Sequence, residues 1–353
     1  MQEVTIQPGS TIFVTGVNGL IGSYIVDVLL KRGYNVRGAV RDIEKSKWLL
    51  DYFNEKQDVK LELVCVPDMT VEGCYDDVVK GTSGIIHVAS PLNGPDPQST
   101  IPIGIRSALN VLSAAAKTPS ITRVVYTSSS IASTFPIYDK VKVLDQSSWN
   151  DEGIAKGWNH PADEPESLKG LYIYAALKAE SEKACWKFME EEKPNFVFNS
   201  IKLKGAQLPN CNFSRVLVPS KQGAPSTIEW AKYAWTGENF EHVSKVITPQ
   251  FFISTEDCAL LHVAALLNPS ISGERIFGFA ARWNFNKLIA VFRREYPDKN
   301  FPADLQGQVD DKCEPPSERA EEILKGIKED GEGWDSLEDK VREMGAQFAS
   351  GEL

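Results

Sequence analysis

The sequence predicts an α/β fold, a doubly wound parallel sheet with a smaller, discontinuous C-terminal domain. Three observations predict this fold. Short apolar runs rich in β-branched residues, the first at 12–14, alternate with segments whose apolar residues recur at helical spacing. A glycine-rich turn joins the first run to the first helical segment, and the regular alternation stops after residue 201. Strands that alternate with helices form parallel sheets with right-handed crossovers.

The first part of the chain supplies the predicted sheet. Strands are expected at 12–14, 35–40, 59–66, 84–88, 123–126 and 196–201. Helices are expected between Ile21 and Gly33 and at 45–53, 71–80, 103–117 and 172–191. Residues 135–168, rich in Trp, Pro, Asp and Glu, are expected to be irregular.

The second part lacks this regularity. Residues 202–236 contain prolines and aromatics with few repeats, and we expect them to form a substrate-side insertion. A strand and then a helix are expected within 251–267, a strand at 273–279 and a helix at 286–296. The charged tail keeps apolar residues at helical spacing, which predicts docked helices at 317–328 and 337–349.

Composition excludes several classes of protein. With 42% hydrophobic residues in 353, the chain has enough apolar side chains for a sizeable core. A net charge of −10 argues against nucleic acid or an anionic membrane as the main partner. No apolar run approaches the roughly 18 residues of a membrane span. Since residues 1–9 lack a charged region followed by an apolar one, no secretory signal is expected there. The six cysteines form no C-x-x-C pair and the four histidines show no ligand spacing, so we predict a cytoplasmic protein with reduced thiols and no metal.

The glycine turn predicts a phosphate site. Gly16, Gly19 and Gly22 stand between the first strand and the first helix. Gly16 allows a tight turn, Gly19 lets the backbone approach a pyrophosphate, and Gly22 lets the helix pack on the strand. The helix N-terminus then offers N–H groups to an anion. The alternative is an ordinary turn with structural glycines.

The second strand ends at Arg41, where a dinucleotide-binding fold meets the adenosine ribose. An acidic residue there binds the 2′-hydroxyl of NAD, whereas an arginine pairs with the 2′-phosphate of NADP. Lys45 lies one turn on, and Asp42 is acidic but one place late. The sequence therefore favours NADP(H), with solvated surface charges as the alternative.

Tyr174 and Lys178 stand four residues apart on a predicted helix and share one face. Carbonyl reduction by a nicotinamide needs a proton donor, and a nearby ammonium is expected to lower the pKa of the phenol. Thr127 and Ser128–Ser130 follow a predicted strand, where a hydroxyl could stabilise charge on the substrate oxygen. A helix-surface pair and a polar turn are the alternatives.

The spacing G-x-x-G-x-x-G, together with the downstream run Y-A-A-L-K, resembles the extended short-chain dehydrogenase/reductase superfamily with its Rossmann fold. The chain is most similar to the dihydroflavonol-reductase-like branch, particularly the fungal NADPH-dependent aldehyde and ketone reductases. The resemblance extends from about residue 8 to about residue 337. It implies a dinucleotide-binding domain of 1–201 plus about 245–270, and a substrate-binding lobe of 202–244 plus 271–353.

The resemblance also implies residue roles. Ser129, the last residue of the T-S-S motif, would be catalytic with Tyr174 and Lys178, although Ser128 and Ser130 compete with it. Asp68 would contact the adenine, or else cap the helix expected at 71–80. The full set of implied cofactor contacts is Gly16, Asn18, Gly19, Leu20, Ile21, Gly22, Arg41, Lys45, Asp68, Met69, Ala89, Ser90, Pro91, Thr127, Tyr174, Lys178 and Pro209.

Two departures from the family pattern affect this interpretation. Leu177 stands where the family usually has serine, and residues 202–207 intervene before the Pro209 segment expected under the nicotinamide. The resulting hypothesis is an NADPH-dependent reductase of bulky or aromatic aldehydes and ketones, active as a monomer or homodimer on a small carbonyl substrate. The alternatives are a nucleotide-sugar epimerase or dehydratase of the same superfamily and a non-catalytic NADP-binding sensor. Aromatics that could form the pocket are Phe135, Tyr138, Trp158, Trp230, Trp235 and Phe240, although core packing explains each about as well.

Overall fold

The computed structural model describes residues 4–54, 60–91, 94–203 and 211–353. It consists of two compact units. The first contains Met1–Thr134, Trp149–Lys202 and Ala259–Ile276, and the second contains Phe135–Ser148, Leu203–Cys258 and Phe277–Leu353. The prediction that one domain binds the dinucleotide and the other binds the substrate stays a prediction.

The first unit is built on a seven-stranded sheet in the order β10-β7-β5-β4-β1-β2-β3. Its strands are β1 (Thr11–Thr15), β2 (Asn35–Val40), β3 (Leu61–Cys65), β4 (Gly84–His87), β5 (Arg123–Ser129), β7 (Val197–Leu203) and β10 (Arg275–Phe277). The pairs from β3 through β2, β1 and β4 to β5 are parallel. The predicted α/β fold with a doubly wound parallel sheet is confirmed.

Helices flank this sheet. They are α1 (Leu20–Lys31), α2 (Ile43–Ser46), α3 (Trp48–Asn54), α4 (Pro97–Ala116), α5 (Asp151–Trp158) and α6 (Lys169–Glu192), with α10 (Thr255–Leu267) contributing its residues from Ala259 onward. Residues of β1 show why the sheet forms, because Ile12, Phe13 and Val14 are all fully buried. A parallel strand covered on both faces needs a continuous apolar run rather than an alternating one.

The strand order reverses beside β1. The chain runs outward from β1 through β2 to β3, and then returns to place β4 on the other side of β1. Such a switch point opens a crevice at the carboxyl ends of the strands, and ligands bind there in open α/β sheets. The glycine turn after β1 and the segment after β4 both lie at this edge.

The second unit contains two small sheets, in the orders β11-β9-β8 and β12-β6, and several helices. Its strands are β6 (Lys142–Val143), β8 (Cys211–Phe213), β9 (Gln250–Ser254), β11 (Ala281–Trp283) and β12 (Cys313–Glu314). Its helices are α7 (Pro219–Gln222), α8 (Thr227–Thr236), α9 (Phe240–Val246), α11 (Phe285–Glu295), α12 (Glu318–Ile327) and α13 (Leu337–Ser350).

Three predicted elements are corrected. Residues 71–80 form turns instead of the predicted helix, because Gly73 has a φ of +73° and Asn110 binds the carbonyl oxygens of Met69 and Val71. The segment expected to be irregular at 135–168 contains α5. Strand β5 continues to Ser129, three residues past the predicted end.

Candidate active site

The turn between β1 and α1 has a geometry that requires glycine. Gly16 has a φ of +72°, and a Cβ there would lie 3.1 Å from the backbone nitrogen of Ala89. A Cβ at Gly22 would lie 2.1 Å from the carbonyl oxygen of Gly16, so a side chain would push α1 away from the turn. Gly19 is the N-cap of α1 and provides no side-chain cap. The helix N-terminus is therefore presented without a capping side chain, as an anion site requires.

Thr15 joins the two sides of the switch point. Its Oγ1 accepts hydrogen bonds from the backbone nitrogens of Val88 and Ala89, both at 3.0 Å. Because Oγ1 accepts both of these bonds, the hydroxyl donates its own proton to Nδ1 of His87, which lies 2.8 Å away. Burial lowers the pKa of His87 to about 3, so the ring is neutral. The other predicted contacts near this edge range from buried (Leu20) through half-buried (Ile21, Ser90 and Pro91) to exposed (Asn18).

Arg41 follows β2 and is exposed at the same edge. Asp42 is the N-cap of α2 and accepts a hydrogen bond from the backbone nitrogen of Lys45 at 3.1 Å. The side chain of Lys45 is 85% exposed. Arg37 instead binds Glu62 within the sheet. Asp42 thus caps the helix and lies 3.7 Å from Lys45 Nζ, while Arg41 and Lys45 are both exposed where the ribose is expected.

Asp68 closes a short turn after β3. It accepts hydrogen bonds from the Thr70 backbone nitrogen at 2.8 Å and from the Thr70 hydroxyl at 2.6 Å, and these bonds lower the pKa of Asp68. Since no helix follows, the helix-cap alternative for Asp68 is wrong. Asn110 on α4 shapes the same turn by donating to the carbonyl oxygen of Met69 at 2.9 Å. No local pattern in the sequence marks Asn110 for this role.

Helix α6 brings the three predicted catalytic residues together. Tyr174 and Lys178 are each 4% exposed and lie one turn apart on α6. The Tyr174 hydroxyl forms a hydrogen bond with Ser129. Lys178 Nζ donates to the carbonyl oxygen of Thr127 at 2.9 Å. All four residues therefore meet at the carboxyl end of β5.

The pKa of Tyr174 differs from the expectation. We expected Lys178 to lower it, but burial raises it and the hydrogen bond with Ser129 opposes this only in part. The reason is the placement of Lys178, whose ammonium binds the Thr127 carbonyl and lies 5.2 Å from the centroid of the Tyr126 ring. Burial also lowers the pKa of Lys178 to about 8. Tyr174 is thus held as a protonated phenol, the form that a proton donor needs.

The three serines after Thr127 have different surroundings. Ser128 donates its hydroxyl proton to Glu182 at 2.5 Å. Ser130 is fully buried and begins a short 3₁₀ turn at 130–132. Ser129 is the serine bonded to Tyr174, in agreement with the motif position.

A buried histidine supports this strand end. Nε2 of His262 lies 2.8 Å from Oγ1 of Thr127, and His262 is fully buried on α10. The two residues are 135 positions apart in the chain, so no local pattern in the sequence identifies the pair.

Three of the aromatics proposed for a substrate pocket, Tyr138, Trp235 and Phe240, are engaged in contacts within the second unit. Trp235 makes edge contacts or tilted contacts with four rings, those of Phe292, Tyr296, Phe301 and Phe348. Phe240 packs edge-on against Phe285, and the Tyr138 hydroxyl donates to the carbonyl oxygen of Pro249 at 2.8 Å. Packing therefore accounts for these three aromatics.

Some predicted features are not described by the structure. Pro209 and residues 204–207 lie outside the described residues. Within the described ranges, no helix combines the length and apolar character needed to cross a membrane. The same ranges contain no group of three or more His, Cys, Asp or Glu residues arranged to hold a metal.

Comparison with known proteins identifies a family. Residues 12–201 match the NAD dependent epimerase/dehydratase family. Aldehyde reductase 2 from Sporidiobolus salmonicolor is 36% identical over 348 residues, which cover 98% of this chain and 97% of that protein. Ketoreductase adrE from Penicillium roqueforti is 35% identical over 335 residues, 92% of each protein. The resemblance predicted from the motifs is confirmed.

A solved structure supports the fold. Yeast methylglyoxal/isovaleraldehyde reductase Gre2, complexed with NADPH, superposes with a TM-score of 0.78 and is 21% identical. The match covers 97% of this chain and 100% of that chain. At this identity the likeness establishes the fold alone.

Proposed function

Since the chain belongs to the NAD dependent epimerase/dehydratase family, we propose that it is an NADPH-dependent reductase that converts aldehydes and ketones to alcohols. The observation that carries the proposal is the hydrogen bond between Tyr174 and Ser129, with Lys178 one turn along the same helix. The similarity to an aldehyde reductase and a ketoreductase supports the same chemistry.

The residues at the switch point fit a dinucleotide phosphate. The cradle formed by Gly16, Gly19 and Gly22 has no room for a side chain at Gly22 and a positive φ at Gly16, and it presents the N-terminus of α1. Arg41 and Lys45 would hold the 2′-phosphate of NADP(H), because both are exposed cations just past β2. Asp42 caps α2 through Oδ1 and lies 3.7 Å from Lys45 Nζ through Oδ2, so each of its carboxylate oxygens has a partner within the chain.

The chain's own residues would manage the proton. When bound in this cradle, NADPH would supply the hydride that the carbonyl carbon accepts. Tyr174 donates its phenolic proton to the substrate oxygen, and the Ser129 hydroxyl stabilises the charge that develops there. Lys178, one turn along α6 from Tyr174, holds the end of β5 through the Thr127 carbonyl, and its positive charge would favour the phenolate that remains. We assign the second unit to binding the substrate, for which bulky or aromatic carbonyls are the proposed class.

The proposal is tested by following NADPH absorbance with a panel of aliphatic and aromatic aldehydes, ketones and diketones. We expect turnover of at least one bulky carbonyl, with NADPH preferred over NADH because of Arg41. A protein that binds NADPH and reduces nothing in the panel would instead be a sensor, and tight retention of NAD through purification would indicate an epimerase or dehydratase.

Tyr174→Phe tests the role of the phenol. Removing the hydroxyl takes away the proton donor, so we expect kcat to fall by about 10²–10⁴-fold with NADPH still bound. Tyr172→Phe is the matched control, because the Tyr172 hydroxyl lies on the same helix but binds Glu164. A Tyr174→Phe protein with the turnover of the control would contradict the mechanism.

A further inference from the structure

Beyond the turns of α6 that carry Tyr174 and Lys178, the next turn carries a buried carboxylate that the proposed reaction does not use. Glu182 follows Lys178 by one turn and is fully buried. Its Oε2 accepts a hydrogen bond from the Ser128 hydroxyl at 2.5 Å, and its Oε1 accepts one from the Ser200 hydroxyl at 2.8 Å. Together with the bonds of Tyr174 and Lys178, three successive turns of α6 bind three adjacent residues at the end of β5.

Two cations, each on a strand of the sheet, pair with Glu182. Lys202 Nζ lies 3.0 Å from Oε2 and Arg275 Nε lies 3.0 Å from Oε1. Lys202 also donates to the Ser133 hydroxyl at 2.7 Å. The Trp149 ring borders both cations, with its centroid 3.7 Å from Arg275 Cζ and 4.8 Å from Lys202 Nζ. Burial alone would raise the pKa of Glu182, but these two cations and the serine hydroxyls lower it to about 2, so the carboxylate is charged.

We propose that Glu182 is a positioning residue for the reduction. It fixes the end of β5 through Ser128, and its negative charge stabilises the ammonium of Lys178, one turn away on α6. The inference rests on the proposed function. Ser128 lies between Thr127, whose carbonyl accepts from Lys178, and Ser129, which binds the catalytic phenol. Anchoring Ser128 therefore sets the position of both neighbours.

The groups around Lys178 leave Glu182 as the source of that charge. From β4 comes His87, which is neutral at working pH, and from β5 comes the Tyr126 ring. On α6 itself, Cys185 is a buried thiol whose pKa is raised by burial. Burial lowers the pKa of Lys178, and the negative charge of Glu182 acts in the opposite direction. The charged residues of the helices packed on α6 are at least partly exposed, namely Arg106 on α4 and Asp151, Glu152 and Lys156 on α5.

Glu182→Gln tests the electrostatic part. The amide has nearly the same shape but no charge, so the Lys178 ammonium loses stabilisation and should deprotonate at lower pH. We expect the titration midpoint of Lys178, which is the pH at which its amine is half protonated, to fall by about one pH unit. It is measured in the ligand-free protein by NMR of ¹³C-labelled lysine, with the resonance assigned through Lys178→Arg. With NADPH and a reduced carbonyl, the ratio of kcat at pH 8 to kcat at pH 6 should fall about fivefold.

Two variants separate this effect from misfolding. Glu180→Gln is the matched control, because Glu180 lies on the same helix and accepts from Trp158 Nε1 at 3.1 Å, and it should leave the midpoint unchanged. Glu182→Gln/Lys202→Met removes one charge of each sign and so restores the balance of the cluster. The double variant should be more stable than the single one and should keep the lowered midpoint of Lys178.

Ser128→Ala tests the positioning part without changing any charge. Losing the bond to Glu182 should displace Ser129 and lower kcat roughly tenfold, with the midpoint of Lys178 unchanged. An unchanged kcat would overturn this part, and wild-type midpoints in both Glu182 variants would overturn the electrostatic part. If the wild-type protein reduces no carbonyl, the proposed function fails, while the NMR midpoints still decide the effect of Glu182 on Lys178.

Discussion

The two units each contain a cluster of buried charges, and the central group is an anion in the first and a cation in the second. In the first unit one carboxylate, Glu182, lies between the two cations Lys202 and Arg275. In the second unit one ammonium, that of Lys328, lies 2.6 Å from a carboxylate oxygen of Asp257 and 2.7 Å from one of Asp335. Both central groups are enclosed, because Glu182 is 0% exposed and Lys328 is 10% exposed.

The difference appears in how the acids titrate. The surplus of cations lowers the pKa of Glu182 to about 2. In the second unit, burial and the charge of Asp335 raise the pKa of Asp257 to about 6, although Lys328 acts in the opposite direction. Burial thus disfavours the charge of both acids, and the sign of the neighbouring charges decides which acid stays ionised. Glu182 is therefore ionised at neutral pH, whereas Asp257 gains a proton under mildly acidic conditions.

The largest expected effect is that of Glu182→Ala, which leaves Lys202 and Arg275 buried without their anion. We expect the free energy of unfolding at pH 7, measured in urea, to fall by about 3–5 kcal/mol. The pKa of Glu182 is lower in the folded state, so its contribution is complete above pH 4.5 and disappears as the pH falls towards 2. The difference in free energy of unfolding between wild type and variant should therefore become smaller as the pH falls from 4.5 towards 2. A loss below about 1 kcal/mol would mean that the cluster tolerates unpaired cations.

A smaller effect is expected for Lys328→Met, which leaves Asp257 beside Asp335. We expect a loss of about 2 kcal/mol at pH 8, measured by urea unfolding. The pKa of Asp257 is raised in the folded state, so protonation favours folding at low pH and this benefit is lost as the pH rises through about 6. The loss should accordingly be smaller at pH 5. Lys325→Met, which breaks a pair with Glu321 on the surface of α12, the helix that ends just before Lys328, is the control. Equal losses at both pH values for Lys328→Met would contradict the argument.

The smallest effect is expected at exposed pairs. Lys31 pairs with Asp27 on α1, and Lys245 pairs with Glu241 on α9, each pair spanning one helical turn. Lys31→Met and Lys245→Met should each change the free energy of unfolding by less than about 0.5 kcal/mol, and added salt should reduce even that. If both variants lose equally little stability, the large effects at the two buried clusters arise from burial and not from the unit in which a charge lies. A loss above 1 kcal/mol at either pair would break the comparison.

The sheet could be predicted from the sequence because its signal is local. Each buried parallel strand is a short continuous apolar run, and the glycine turn marks its first connection. Helix α5 could not be predicted from the sequence, because it contains Gly153 and Gly157 and its apolar pattern is weak. The structure explains both glycines, since a Cβ at Gly153 would lie 2.9 Å from Cβ of Ala175 and one at Gly157 would lie 2.5 Å from Cβ of Ala176. The helix exists because it packs closely on α6.

The candidate site shows the same limit. The sequence indicated Ser129, Tyr174 and Lys178 through motifs, and their catalytic roles stay predictions. Nothing local pointed to Glu182, because Lys202 and Arg275 come from distant strands and a lone carboxylate on a helix is usually solvated. Partners brought together only by the fold have no sequence spacing to identify them.

The Thr15 hydroxyl has a consequence for binding affinity. It accepts from two consecutive amides after β4 and meets His87, so the rim of the crevice is ordered by the protein itself. A ligand that enters such a rim loses its own freedom but does not have to immobilise loose backbone. The entropic penalty of association falls mainly on the incoming molecule, which favours tight binding from a modest contact area.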